Sequence, residues 1–235
     1  MRVIVEEGDA LPATSATQTD DAGNRLRVRK GDDRAKRLMD ISLAALMLAA
    51  SAPLWPVLAL AIKLTDGGRV FYRQQRWGLN GSRFVTLKFR SMENRASSDP
   101  IIRPATPGDG RVTKVGRLLR ACGLDELPQL LNILYGDMSF VGPRALAVGE
   151  ILEEREANPV TAEDIPGFAQ RLSVRPGLTS LSTVMLPKDC DARLKFRCDV
   201  VYVRTRSLAL DLKLIAVSLL VSFRGRWESR EAKIL

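Results

Sequence analysis

The sequence predicts a mainly helical α+β protein: a re-entrant helical hairpin in a membrane, a small β-hairpin, and amphipathic interfacial helices around a cytoplasmic core. Three stretches carry that expectation. From Ile41 to Ile62 the chain is almost wholly apolar, interrupted only by Ser42, Ser51, Pro53 and Pro56, and as a helix that length reaches across a hydrocarbon core. Val70 to Trp77 and Ser82 to Arg90 are β-prone, with the strong tight-turn pair Asn80-Gly81 between them. Further on, apolar residues recur at helical spacing with basic residues on the other faces.

The apolar segment comes first in the argument. A buried core helix is the plain alternative, but such helices carry a polar stripe and this run has none. It starts too far from Met1, after too much polar sequence, for a cleaved signal peptide, so it is expected to stay in the mature protein. Pro53 and Pro56 each remove a backbone donor mid-segment, which predicts a sharp bend near Ala52, with Ser51 able to satisfy a backbone group freed there. Arg34, Lys36 and Arg37 precede the segment, and Lys63, Arg69, Arg73 and Arg76 follow it. Positive charge at both ends favours the cytoplasmic side for both. The segment therefore reads as a hairpin that enters one leaflet and returns, its break marked by Ser51 and Pro53.

This divides the chain into a mostly disordered polar tail (1–33), the hairpin (34–66) and a cytoplasmic domain (67–235). At 235 residues there is room for one domain with extensions. Lys and Arg exceed Asp and Glu by 36 to 27, for a net charge of +9, so anionic partners are expected: lipid headgroups, phosphates or nucleic acid. A nucleic-acid binder has no use for so long an apolar segment, and neither zinc spacing nor interleaved aromatics supports one. The cysteines, Cys122, Cys190 and Cys198, are three and lack CxxC spacing, which argues against a disulfide framework or structural zinc. There is no histidine, so chemistry must come from carboxylates, Lys, Arg, Tyr, Ser or Cys.

After the β-hairpin, which ends on Lys88-Phe89-Arg90-Ser91-Met92, the stretch from Glu93 to Gly110 reads as a surface loop. Arg111 to Arg120 sets Val112, Val115, Leu118 and Leu119 on one face and predicts a basic amphipathic helix, suited to an anionic surface or to phosphate. Asp125-Glu126-Leu127-Pro128-Gln129 then opens an apolar helix that stops at Gly136. Asp125 fits its N-cap and Pro128 its first turn, so these residues are explained by capping alone. Yet two carboxylates held ionised at a positive helix end can also supply a nucleophile or bind a hard divalent cation. Gly142-Pro143-Arg144 fixes a turn and offers a fork of donors, and Arg90, Arg120 and Arg144 can converge on a diphosphate. The last helix, Ser207 to Phe223, suits either the membrane interface or packing on the core.

With these motifs together, the sequence resembles the bacterial sugar transferase family, the monotopic polyprenyl-phosphate hexose-1-phosphate transferases. Five motifs match in order: Lys36-Arg37 through Asp40 before a hairpin with a central proline, Lys88-Phe89-Arg90-Ser91-Met92, Val112-Thr113-Lys114-Val115-Gly116 leading to Leu119-Arg120, Asp125-Glu126-Leu127-Pro128-Gln129, and Gly136-Asp137-Met138-Ser139 with Gly142-Pro143-Arg144. The resemblance implies a phosphoglycosyl transferase in which Asp125 attacks the sugar-bearing phosphate of a UDP-sugar, releases UMP, and passes the phosphosugar to a polyprenyl (undecaprenyl) phosphate. It implies that Glu126 assists Asp125, that Mg²⁺ bridges Asp125 and the diphosphate, and that Lys88, Arg120 and Arg144 offset phosphate charge. Membrane lipids are the implied partners, the cytoplasmic face of the bacterial inner membrane the implied location, exopolysaccharide or another glycoconjugate the product, and a homodimer is compatible with it.

The chain departs from the family pattern in three places. Ala52 precedes Pro53 where the family has serine, and Ala145 follows Arg144 where proline is common. After Arg175-Pro176-Gly177-Leu178-Thr179 come Ser180-Leu181-Ser182-Thr183, where the family tends to have glycine and then glutamine, which leaves the transferred sugar open. A catalytically silent basic membrane scaffold of the same fold is the competing reading. It has no need of both acids together with Lys88, Arg120 and Arg144.

Overall fold

The computed structural model describes residues 33–93, 108–153, 160–187, 190–225 and 227. The expected polar tail, apart from Asp33, lies outside the described residues, as does most of the expected surface loop.

Pro53 and Pro56 divide the apolar segment as their chemistry requires. α1 (Asp33–Ser51) and α2 (Leu54–Asp66) meet at 64°. Pro53 takes the N-cap position of α2 and Pro56 lies in its first turn, where a missing N–H leaves no broken bond. At the bend, Ala52 N–H reaches only to the Ala49 carbonyl, 3.4 Å away. The Ser51 hydroxyl donates to the Leu48 carbonyl at 3.3 Å and accepts from the Trp55 indole at 3.2 Å. Ser51 thus engages a carbonyl of the last turn of α1, as anticipated. Among the described residues no single helix is long and apolar enough to cross a membrane, but the bent pair together has the length and composition. It is not a core helix: Leu38, Leu46, Val57, Leu60 and Leu64 are exposed, Leu64 at 76%.

The basic residues before the hairpin have turned inward. Lys36 donates to Asp211 at 2.6 Å and to the Val141 carbonyl at 3.0 Å. Arg37 caps the end of the helix over Gln129–Tyr135, donating to the carbonyls of Ile133 and Leu134 at 2.6 and 2.8 Å, where a cation meets the negative helix end. Asp40, 2% exposed, accepts the Phe140 N–H at 3.0 Å. Of the three basic residues expected to flank the membrane on this side, Lys36 and Arg37 instead fasten α1 to the rest of the protein.

The β-hairpin forms as its sequence predicts, with β1 (Phe71–Trp77) antiparallel to β2 (Arg83–Phe89) in the register Phe71 to Phe89 and Trp77 to Arg83. Asn80 and Gly81 both take positive φ, 54° and 77°, and Ser82 N–H closes on Leu79 O at 3.1 Å. That is a type I′ turn, whose twist suits a hairpin. α3 (Lys114–Cys122) starts three residues later than expected, because Thr113 caps it by accepting the Gly116 N–H at 2.9 Å. Its inward residues are Gly116 and Leu119, while Leu118, expected on the apolar face, is 65% exposed. Gly116 has a steric reason: a Cβ there would sit 1.9 Å from the Ser91 carbonyl oxygen.

A 3-10 turn (Leu124–Glu126) leads into α4 (Gln129–Tyr135), against which α1 packs. β3 (Ser139–Val141), β4 (Ile151–Glu153), β5 (Val160–Thr161), α5 (Phe168–Arg171), β6 (Gly177–Thr179), α6 (Leu181–Met185), α7 (Ala192–Thr205) and α8 (Leu208–Phe223) complete the order. β3 runs parallel to β6, and β4 antiparallel to β5. Gly142 and Gly177 let the chains after β3 and before β6 cross closely: a Cβ on Gly177 would lie 2.1 Å from Gly142 N. The main core gathers Ala44, Leu130, Ile133, Phe140, Val141 and Tyr202, and a second packs Leu58 and Ile62 of α2 against Phe89 and Leu119. α8 buries Asp211, Leu214 and Val221 while its other side exposes Leu212, Leu220 and Phe223.

Asp40→Ala leaves the buried Phe140 N–H without its acceptor and is expected to cost about 1–3 kcal/mol. Denaturant titration of the full chain in detergent measures it.

Candidate active site

Gly123, at φ 70°, ends α3 in a left-handed cap and turns the chain into the 3-10 turn that carries both acids. Leu127 and Pro128 continue with helical angles into α4. Asp125 therefore does not cap α4: that position belongs to Pro128, and neither it nor the 3-10 turn has a side-chain cap. The turn buries Asp125, 8% exposed, and leaves Glu126 half-buried.

The end of β2 brings Lys88 to this turn, with Nζ 2.5 Å from Glu126 Oε1. The pair separates two acids that look alike in sequence. Burial pushes the Asp125 carboxyl up, Lys88 pulls it down, and the Glu126 charge raises it again, leaving it at about 6. Glu126 is also pushed up by burial, but Lys88 and Arg144 outweigh this and hold it at about 2. The expectation that the helix end keeps both carboxylates ionised is thus corrected. Burial, not the helix end, dominates at Asp125. Lys88 itself is lowered from the usual lysine range by burial.

Arg120, in the last turn of α3, favours the charge of Asp125. Arg144, on the loop after β3, is exposed, and its guanidinium has no hydrogen-bond partner among the described residues. Its main chain is held: Arg171 Nη2 donates to the Arg144 carbonyl at 2.9 Å, and Arg171 is paired with buried Asp199 at 2.8 Å. Ser182 donates to the other Asp199 oxygen at 2.7 Å. The structure therefore brings Asp125, Glu126, Lys88, Arg120 and Arg144 into one electrostatic neighbourhood. Arg90 does not join them. Its guanidinium is buried in a two-pronged pair with Asp66, at 2.7 Å for Nη1 to Oδ2, which ties the end of α2 to the end of β2. Ser51 and Pro53 remain at the hairpin break.

Two contributors escaped the sequence reading. Arg76, placed there among membrane-flanking charges, is buried, donates to the Ala145 carbonyl and to Gln74, and lies across the hairpin from Phe84. That inward register was the available signal. The Arg171–Asp199 pair had no local signal, since its members lie 28 positions apart.

The family model for bacterial sugar transferases matches residues 31–225, spanning the hairpin, the acid turn and both ends of the parallel pair. The chain belongs to the bacterial sugar transferase family. Similar proteins include a UDP-glucose:undecaprenyl-phosphate glucose-1-phosphate transferase of Caulobacter vibrioides, 44% identical over 188 residues, 78% of this chain and 67% of that protein. One of the same name from Klebsiella pneumoniae is 39% identical over 196 residues, 80% of this chain and 40% of the relative. The exopolysaccharide production protein PSS of Rhizobium leguminosarum bv. phaseoli is 36% identical over 185 residues, 77% and 90% of the two chains. The chain thus spans less than half the length of the Klebsiella relative. Among its described residues no cluster of three or more Cys, Asp or Glu side chains is arranged to hold a metal by itself. One or two carboxylates completed by substrate phosphates suffice for Mg²⁺, and Asp125 beside Glu126 fits that requirement.

The acid pair predicts a pH-dependent stability. Native Asp125 keeps its proton up to about 6, while the unfolded chain releases it near the ordinary 3.8. The native state binds more protons in that window, so this residue makes stability fall as pH rises through it. Asp125→Asn removes the penalty and is expected to stabilise the protein by about 1–3 kcal/mol at pH 7.5. The gain should disappear below about pH 4 when thermal melts are compared across pH. Arg90→Met, by contrast, removes the two-pronged partner of Asp66 that ties α2 to β2; it should lower the melting temperature and leave the KM for a nucleotide-sugar unchanged, which steady-state kinetics checks.

Proposed function

We propose that this protein transfers a sugar-1-phosphate from a UDP-sugar to undecaprenyl or another polyprenyl phosphate at the cytoplasmic face of the bacterial inner membrane. The division of the two acids by Lys88 carries this reading: one carboxylate holds the lysine, and the other stands without a hydrogen-bonded cation. The names of its relatives point to UDP-glucose as the first donor to try and to undecaprenyl phosphate as the acceptor.

In the first step an Asp125 oxygen attacks the sugar-bearing phosphorus, the bond to the bridging oxygen breaks, and UMP leaves with that electron pair. In the second, an oxygen of the lipid phosphate attacks the same phosphorus and the Asp125 carboxylate departs. Each step sets one anion against another, so cations must surround the transferring group. Lys88, Arg120 and Arg144 supply that charge. Glu126 keeps Lys88 in place, which makes it the partner of Asp125 through the lysine. Mg²⁺, when bound by Asp125 and the donor phosphates, would neutralise the diphosphate and favour departure of UMP. The Asp125 carboxyl must lose its proton to attack, so the rate should rise with pH through about 6 and level off above it.

The hairpin and α8 serve the acceptor. Their exposed leucines, with Val57 and Phe223, offer apolar surface to a bilayer. A group dissolved in the membrane is thereby met by a site that stays with it.

The decisive measurement is UMP release by the purified protein given Mg²⁺, polyprenyl phosphate and a panel of UDP-sugars. Release with at least one donor is expected, with loss of at least 10³-fold in Asp125→Asn while membrane association is kept. No release with any donor, or a sugar-phosphate adduct trapped on another residue, would defeat this assignment.

A further inference from the structure

A small, shallow cleft lies beside the acid turn, with Arg76, Glu126, Gln129, Arg144 and Gly177 among its lining residues. Its walls come from β1, the acid turn, α4, the Arg144 loop and the start of β6. Neither Asp125 nor Lys88 lines it. It adjoins the acid pair and shares Glu126 with it.

Two of its donors are unsatisfied. Gln129 is 2% exposed, and no described residue hydrogen-bonds its side chain; its Nε2 is fully buried without a partner. Arg76 spends both terminal nitrogens, on Ala145 and Gln74, yet its buried Nε has none. A buried amide without a partner is costly, and cores avoid it unless something else supplies the acceptor. A carboxamide can present either end to the cleft by a half-turn of its last torsion. Beside it Arg144 holds a guanidinium with no hydrogen-bond partner among the described residues. Cationic groups and N–H donors around a small cavity select an oxyanion. One carboxylate, Glu126, also lines it, but that side chain is paired with Lys88.

We infer that Gln129 is a binding residue for the nucleotide-side phosphate of the donor, the one that leaves as UMP, with Arg76 and Arg144 completing the seat. This rests on the donor reading above and deepens it. The five-residue run Asp125-Glu126-Leu127-Pro128-Gln129 then carries both halves of the first step: the acid that attacks one phosphate and, one helical turn on, the amide that receives the other. Arg76 is chiefly a positioning residue, since its bond to the Ala145 carbonyl fixes the backbone next to Arg144.

The test uses the full chain in detergent with Mg²⁺, polyprenyl phosphate and UDP-glucose, or whichever UDP-sugar the wild type turns over. Gln129→Met keeps the volume and removes the amide. The donor KM and the inhibition constant of UMP are each expected to rise about tenfold, the loss of one hydrogen bond to a charged group. The inhibition constant of uridine and the KM for polyprenyl phosphate should not move. Because the amide is unsatisfied in the free protein, the melting temperature should equal or exceed that of the wild type. Gln129→Glu, similar in shape but repelling phosphate, should weaken UMP further. An unchanged UMP inhibition constant, or a lowered melting temperature with both substrate KM values rising together, overturns the inference while wild-type UMP release leaves the donor reading standing. A wild type that releases no UMP defeats the donor reading itself, and this inference with it.

Discussion

The ion pair between Lys88 and Glu126 is the contact on which the rest of the site turns. It joins the end of the β-hairpin to the turn after α3, and so fixes where two elements distant in sequence meet. It also decides which of two neighbouring carboxylates is which. In a buried setting two adjacent acids cannot both keep their charge at low cost. The lysine gives the charge to Glu126 and leaves Asp125 with a proton affinity near the physiological range. A carboxylate less satisfied in its resting state has more to gain from a phosphorus atom or a metal ion.

Around that pair the protein solves a second problem, fastening the bent apolar pair of α1 and α2 to the rest of the fold. It does so with charge on the inner side of α1. Lys36, Asp211, Tyr202 and the Val141 carbonyl form one buried cluster, in which the Tyr202 hydroxyl has its one proton within reach of two acceptors, Asp211 at 2.8 Å and Val141 O at 3.0 Å. Arg37 and Asp40 add bonds to the end of α4 and the middle of β3. Apolar packing alone would hold the hairpin loosely in register. These directional bonds fix how it is rotated as well as how closely it sits.

Much of this was legible in the sequence, and for local reasons. Asn80-Gly81 specified its turn because few other pairs tolerate two positive φ angles, and the prolines specified the bend because they lack donors. Residues whose meaning depends on distant partners were harder. Arg90 and Arg144 look equally suited to phosphate, yet Asp66 consumes the first and no described side chain bonds the second. Lys36 and Arg37 look like membrane flanks and are instead internal anchors. Asp125 looks like a helix cap because the pattern Asp-Glu-Leu-Pro fits one, whereas Gly123 starts the helical path earlier and places the acid inside its first turn. The charge of a side chain can be read from one residue; its expenditure depends on the whole fold.

Asn132, in α4, shows what this arrangement permits. Its carboxamide donates to the Val85 carbonyl at 2.8 Å and accepts the Leu87 N–H at 3.3 Å, so a side chain stands where a third strand would pair with β2. It sits six positions after Glu126 and closes the free edge of the strand that carries Lys88. The acid turn and Lys88 are therefore placed by one short helix and one hairpin, while Arg144 is held from the other side of the cleft, by Arg171 on its carbonyl and by the Gly177 N–H on the carbonyl of Pro143. A change on that second side reaches the cation first and leaves the two acids where the hairpin and the helix hold them.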